Sequence, residues 1–582
     1  MTAGPPAGRL ASARKVTALP QTDLTRLDRL LIWSDRRRQV EAAFLIDPAP
    51  RDTGRVNRGQ KMLAGEFMFL GYSVEAPDTA IWDLPIPEPA FQEALHAFGW
   101  LDDLAATGAG DQRARAWLDD WIARYGQGAG PGWRPDLLGR RLLRLIDHSG
   151  MLMSGKRPRD RTARASLRLQ ARQLARSWRR VRPGPRRFDA LAGLLLATVA
   201  LEGLAGQRPK ALLALEAEIA ATVLPDGTLP SRNPEALARI FSRLARIRAD
   251  LEVADEPVPL FLAEALERIA PVLRTLRHAD GGLPRFHGGG RGGVGVLDQA
   301  FAASGTRAVP PGDRAMGYMR LSHGRTTLLM DGAPPPTGAH SAEAHASTLA
   351  FELTSGRRPI IVNCGSGRTF GDRWRRAGRA TPSHSTLTIA GLSSSRLGPD
   401  NLISDAPRDV RVERRRSDLS TGLIAGHDGY VRSHGLTHVR QVFLNHDGRG
   451  LQGEDVIATI EAEDEPILDA ALDAAGGRLP FTIRFHLHPD VEAAFGSDGQ
   501  SFDLTLGSGE HWVFRHTGNA ALSLEPSAYL DVGELSPTPT RQIVLAAAVD
   551  DYATRVTWTL AKADQTPDAV RDLAHGDRPV LA

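Results

Sequence analysis

With 582 residues, a mass of 62.9 kDa and 42% hydrophobic residues, the chain is long enough for two or three domains with substantial cores. No run approaches 18 apolar residues, and the first forty residues hold no apolar stretch of signal-peptide length, which argues against a transmembrane segment and for a cytoplasmic location. The net charge is +4 with a pI near 9.4, and the cations comprise 67 arginines and five lysines.

Arginine suits bidentate contact with carboxylates and sulfates, so an arginine-lined cleft would favour an acidic polymer. The arginines are spread along the whole chain, and no zinc-finger, RNA-recognition or basic-zipper pattern accompanies them, which argues against nucleic acid. Cys364 is the only cysteine, so neither an intrachain disulfide nor a cysteine-cluster metal site can form.

Residues 1–85 read as an N-terminal extension. Its first 20 residues have a disordered composition, a basic amphipathic helix is expected from Leu24 to about Phe44, and a hairpin or extended segment from Gly59 to Tyr72. From 86 to 290 helical periodicity holds: Leu95, Phe98, Leu101 and Leu104 form one stripe, and with the similar stripes that follow it makes about eight helices with short breaks. Two breaks, 224–230 and 278–284, both carry Asp-Gly followed by Leu-Pro, 54 residues apart, which suggests helical hairpins arrayed in a ring. Loops at the inner end of such a ring would carry Arg232, Asn233, Arg285 and His287. The pair Asn233-Pro234 also reads simply as a helix cap with Pro at the first position.

A Gly/Pro-rich linker is expected at 291–314, with no nucleotide fingerprint in its glycines. From 315 to 565 many short alternating runs with Gly and Asp turns predict an antiparallel β-sandwich, and 566–582 a C-terminal tail. The fold class is therefore a helical (α/α) toroid followed by a β-sandwich. Eight of the 17 histidines fall between 323 and 446, which points to a site on the sheet domain around His340, His345 and His384. His486 and His488 share one strand face and are expected to face solvent.

The stretches EAHASTLAFELTSGRRPIIVNCGSG, RATPSHSTLTIAG and HDGYVRSHGLTHVRQVFL, with FGWLDDL and LPDGTLPSRNP earlier, resemble the heparinase II/III-like family over residues of about 90 to 560. The resemblance implies a polysaccharide lyase that cleaves uronate-containing acidic glycans by β-elimination, in the cell envelope or periplasm. It also implies a zinc site at His345, Asn363 and His384. Glu343 stands where the family carries a histidine, Asn363 where it carries an acidic ligand, and a neutral amide is a weak zinc ligand. None of the six tyrosines lies between 126 and 317, so the usual toroid tyrosine is not evident.

Such an elimination needs the uronate carboxylate neutralised, a base for the C5 proton and an acid for the leaving oxygen. Arg232 and Asn233 are the expected neutralisers, and His340, Glu343 and His345 the base and acid. Arg285, His287, Arg379 and His438 are the expected glycan contacts. The competing reading is a non-catalytic acidic-glycan-binding protein that keeps the lyase fold, and the sequence leaves oligomerisation open.

Overall fold

The computed structural model describes residues 24–563, apart from 39, 52 and 53. The disordered start and the tail expected from the sequence lie outside them. A helical region runs to Leu276, and antiparallel sheets follow.

Six helices of the first region open with proline at their first or second position: Pro89, Pro135, Pro158, Pro185, Pro209 and Pro234. Proline lacks the N–H that a helix start leaves unbonded, and its φ is already helical, so these prolines set where each helix begins. Two helices, Pro135–Asp147 and Pro185–Ala200, cross at glycines. A Cβ on Gly193 would lie 2.3 Å from the Gly139 carbonyl oxygen, so only glycine permits this approach.

The helix Arg26–Arg38 falls inside the expected N-terminal one, and Glu66–Phe69 pairs with Tyr72–Glu75 as a hairpin, preceded by a helix at Val56–Leu63. Ile32, Met62, Phe67 and Val74 join the core of the helical region. Within the Gly/Pro-rich stretch, Val296–Ser304 is helical and sets Phe301 against Phe241, with ring centroids 5.1 Å apart. The segment, expected as linker, is helical because Leu297, Ala300 and Phe301 find the face of the helix Pro234–Val253.

The sandwich consists of an eight-stranded and a nine-stranded sheet, and every strand pair is antiparallel. Leu436–Asn445 alternates buried and half-buried residues along its whole length, as a strand with one face on a core must. Between the sheets, the Phe351 ring stacks on Trp558 at 5.8 Å.

The sandwich grips the helices from its first strands. Arg320 donates to the carbonyls of Thr275 and Arg277, at 2.9 and 2.8 Å, where the helix Leu260–Leu276 ends with unbonded carbonyls. Deeper in the sandwich, Arg440 is fully buried: it pairs with Asp455 at 2.7 Å and donates to the carbonyls of Leu349 and Ser385. Those carbonyls belong to the two chain segments that carry His345 and His384, so this arginine fixes the frame of the site.

Trp558 Nε1 also donates to Asp455, at 3.0 Å. The variant Asp455→Asn leaves Arg440 charged and unmatched in the core and is expected to cost about 3–5 kcal/mol. Urea unfolding followed by tryptophan fluorescence should show an earlier transition; an unmoved midpoint would mean that the network is dispensable.

Candidate functional site

Two loops of the helical region and three segments of the sandwich meet in one buried cluster. Arg232, the residue before the cap of the helix Pro234–Val253, enters it with φ 51°. Its guanidinium pairs with Asp331 and donates to the carbonyls of Met316, Gly317, Ala333 and Pro334. Tyr318, on the first long strand of the sandwich, donates its hydroxyl to the Arg232 carbonyl at 2.6 Å and lies under the guanidinium. Burial raises the Tyr318 phenol well above its ordinary value, although Arg232 opposes the shift. Burial likewise pushes the Asp331 carboxyl up, but Arg232, His287 and Ser347 together hold it well below the usual carboxylate range.

The histidines form a second chain. The Gly288 N–H donates to His345 Nε2 at 2.9 Å, His345 Nδ1 lies 3.0 Å from His384 Nε2, and His384 Nδ1 lies 2.9 Å from the Ala380 carbonyl oxygen. The Gly288 donor at one end and the Ala380 acceptor at the other fix both tautomers: each ring is neutral, accepts at Nε2 and donates from Nδ1. His287 accepts the His345 backbone N–H at Nδ1 and sets Nε2 3.3 Å from Asp331. Burial lowers all three rings: His345 well below its ordinary value, aided by the neighbouring His384, His384 to about 4, and His287 despite the opposing pull of Asp331.

Asn363 sits beside the pair with its amide committed. Its oxygen accepts the Ser385 N–H at 3.0 Å, and its nitrogen donates to Glu352 at 3.2 Å. A zinc ion at His345, Asn363 and His384 would take the place of the proton between the two rings, with the Asn363 amide oxygen, a neutral and weak zinc ligand, as third donor. Among the described residues no group of three or more His, Cys, Asp or Glu is arranged to hold a metal.

The remaining expected residues divide into buried and rim positions. Arg285 is buried, 3.4 Å from Glu352, with its guanidinium 4.0 Å from the centre of the Tyr529 ring. Burial would raise Glu352, but Arg285 and His278 hold it down to about 2. Arg379 spends its donors on the carbonyls of Ser341, Ala344 and Asn401. His438 lies apart from the cluster, 2.8 Å from Asp455 and 3.3 Å from His427.

At the rim, His340 is exposed and Glu343 is half-exposed in an ion pair with Arg375 at 2.6 Å. The Asn233 side chain caps its helix by accepting the Ala236 N–H at 2.9 Å, which is the capping role that the Asn-Pro pair suggested. Gly288 brings Asn233 and Glu343 together: a Cβ there would lie 2.7 Å from Glu343 Cβ and 3.4 Å from Asn233 Nδ2. His486 and His488 are buried, contrary to the solvent-facing expectation: His486 lies on the strand Leu479–Leu487 inside the nine-stranded sheet, and His488 follows directly after it. Sequence reasoning missed Asp331, Tyr318, Ser347 and Glu352. The sign for Asp331 was present, since a carboxylate closing the apolar run Thr326–Asp331 must find a partner when buried.

The site also sets a pH dependence. The unfolded His384 takes up a proton near pH 6.5, whereas the folded ring does so only near pH 4. Stability is therefore complete above about pH 6.5 and falls as the pH drops towards 4, by on the order of 3 kcal/mol for this ring. Urea midpoints measured from pH 7 to pH 4.5 should fall less steeply in His384→Asn than in the wild type. Equal slopes would show that the ring is not held neutral.

The family model described as heparinase II/III-like, C-terminal, matches residues 309–559. FtsZ-localized protein C of Caulobacter vibrioides (strain NA1000 / CB15N) is 31% identical over 543 residues, covering 89% of each chain. Among solved structures, heparinase III superposes with a TM-score of 0.65 at 14% identity, over 92% of this chain and 89% of that one. A heparan sulfate lyase mutant from Pedobacter heparinus gives 0.56 at 17%, over 93% and 89%. The helical region and the sandwich are thus one shared architecture, and this chain belongs to the heparinase II/III-like family.

Proposed function

We propose that this chain is a non-catalytic member of its family, a lyase-fold scaffold that localises with FtsZ as its relative of nearly equal extent is named for doing. The observation that carries this reading is the commitment of the central polar groups to one another. Arg232 uses its guanidinium on four carbonyls and Asp331, and the imidazole pair is neutral, fully buried and hydrogen-bonded at both ends. A base must reach a substrate proton, and a neutraliser must have donors left for a carboxylate. These groups instead join the helical region to the sandwich. A cytoplasmic chain belongs with this reading, and among the described residues no helix is long and apolar enough to cross a membrane.

The second reading, a uronate lyase, is favoured by the rim. Asn233 and Glu343 stand together around Gly288 with Arg375 beside them, which would offer an amide and a guanidinium for a uronate carboxylate and a carboxylate base for the C5 proton. Binding of an acidic polysaccharide without cleavage would use the same rim.

The two readings separate in one pair of experiments. A fluorescent fusion is expected to track FtsZ in living cells, and the purified chain to give no rise in ultraviolet absorbance with a panel of uronate polysaccharides. A diffuse fusion, together with an absorbance signal that disappears in Glu343→Gln, would replace the scaffold by the lyase.

A further inference from the structure

Among the described residues, two exposed surfaces carry charged side chains that no ion pair matches, and their charges are opposite. The first is the outer side of the helix Arg26–Arg38. Its inner side is occupied: Ile32 is buried, Asp28 binds Arg180 and Gln173, and Asp35 binds Arg172 and Arg176. Leu27, Leu30 and Trp33, spaced three apart, form one stripe on the other side and are 64%, 59% and 51% exposed. The Arg37 guanidinium lies over the Trp33 ring at 3.8 Å, and the guanidinium groups of Arg26, Arg36 and Arg38 are exposed with no hydrogen bond or ion pair among the described residues. An apolar stripe rimmed by charge marks a docking face, which scattered surface leucines do not.

The second surface lies on the sandwich. Between Thr459 and Gly477 the chain has six carboxylates and no cation. Glu465, Asp469 and Asp473 recur every four residues along the helix Glu465–Ala474, whose Leu468 is buried, and Glu461 and Glu463 precede it. All five are exposed, and none forms an ion pair among the described residues. Asp473 stands in the last turn of its helix, where the dipole disfavours an acid, so helix stability does not account for the row. Apolar surface adjoins it: the Thr459 N–H donates to the Tyr552 carbonyl, which sets Ile460, 60% exposed, near Tyr552, 43% exposed, and the Tyr552 hydroxyl donates to Asp469 at 3.0 Å.

We propose that these two surfaces recognise each other between copies of the chain. The stripe of the helix Arg26–Arg38 seats on Ile460 and Tyr552 of a second copy, and its arginines face the row Glu465, Asp469 and Asp473. The spans agree: at about 1.5 Å per residue the acidic row covers about 12 Å, and Arg26 to Arg36 about 15 Å. A two-fold contact through either surface alone would set like charges together, so the pairing is head-to-tail. Such a contact leaves one free surface of each kind at the ends, and the assembly grows into rings or filaments. The inference uses neither the rim nor the buried histidines and stands apart from the scaffold and lyase readings.

Analytical ultracentrifugation of the full chain tests this. In low salt the mass is expected to rise with concentration from 62.9 kDa past that of a dimer. Because the charges are exposed, raising the salt from about 0.05 M to about 0.5 M should weaken the association about tenfold or more. Two double variants each remove one surface at exposed positions: Leu30→Glu with Trp33→Glu, and Glu465→Lys with Asp473→Lys. Each alone should remain monomeric, with its urea midpoint unchanged. Mixed in equal amounts they should form a dimer and nothing larger, because only one intact pair of surfaces remains. A wild type that is monomeric at every concentration, or a mixture that does not associate, would overturn the proposal. A monomeric wild type that sediments with phosphatidylglycerol vesicles, and no longer does so with Leu30→Glu and Trp33→Glu, would replace the second copy by a membrane surface.

Discussion

The ion pair between Arg232 and Asp331 is the contact on which the seam between the two regions depends. Both partners are buried, and taking two charges out of water costs several kcal/mol per ion unless every donor and acceptor is matched. The structure meets that condition by placing four backbone carbonyls around the guanidinium and Ser347 on the second carboxylate oxygen, at 2.7 Å. Because a guanidinium is planar and its donors are fixed, only one placement of the loop at 229–233 against the turns at 316–317 and 333–334 satisfies them all. The loop accepts strain to reach it: Arg232, His287, Met316 and Leu349 all have φ between 47° and 61°, a region that side chains other than glycine rarely adopt. Four such residues at one seam indicate that the surrounding contacts over-determine the backbone there.

Much of the architecture could be read from the sequence, and for identifiable reasons. The change from a period of 3.6 to a period of two near residue 315 marks where helices give way to sheets, because each element buries a face of its own periodicity. The paired Asp-Gly/Leu-Pro turns and the clustering of histidines marked the loops and the strand ends that meet in the site. His345 and His384 do come together, as their positions at neighbouring strand ends suggested. What could not be read was the state of each group. Whether His345 is a ligand, a base or a link depends on what lies opposite its two nitrogens, and those partners, the Gly288 N–H and His384, come from 57 and 39 residues away. Tyr318 illustrates the same point: the search for a tyrosine covered the helical region, whereas this one enters the seam from the sandwich.

Burial of the central groups carries the functional argument further than their identities do. A histidine in the right sequence position is still unable to act on a polymer if its lone pair is occupied and it is sealed from solvent. The rim residues have the opposite character: Glu343 and His340 are accessible, yet neither is locked in place as the buried cluster is. The molecule thus separates rigidity from accessibility, and the glycine at 288 is the point where the two meet, donating its N–H to the buried ring while its missing side chain leaves room for Glu343 and Asn233.

The imidazole chain also has a direction. It begins at a backbone N–H of the helical region and ends at a backbone carbonyl of the sandwich, with two rings oriented head to tail between them. In effect it is one rung of a β-ladder stretched across a domain boundary, with side chains standing in for the strands. Such a rung carries no net charge, polarises each successive link, and requires at its middle a group that accepts on one side and donates on the other in line. Imidazole meets that geometry in its neutral form, so protonating either ring would set two N–H groups against each other and part the regions at that point.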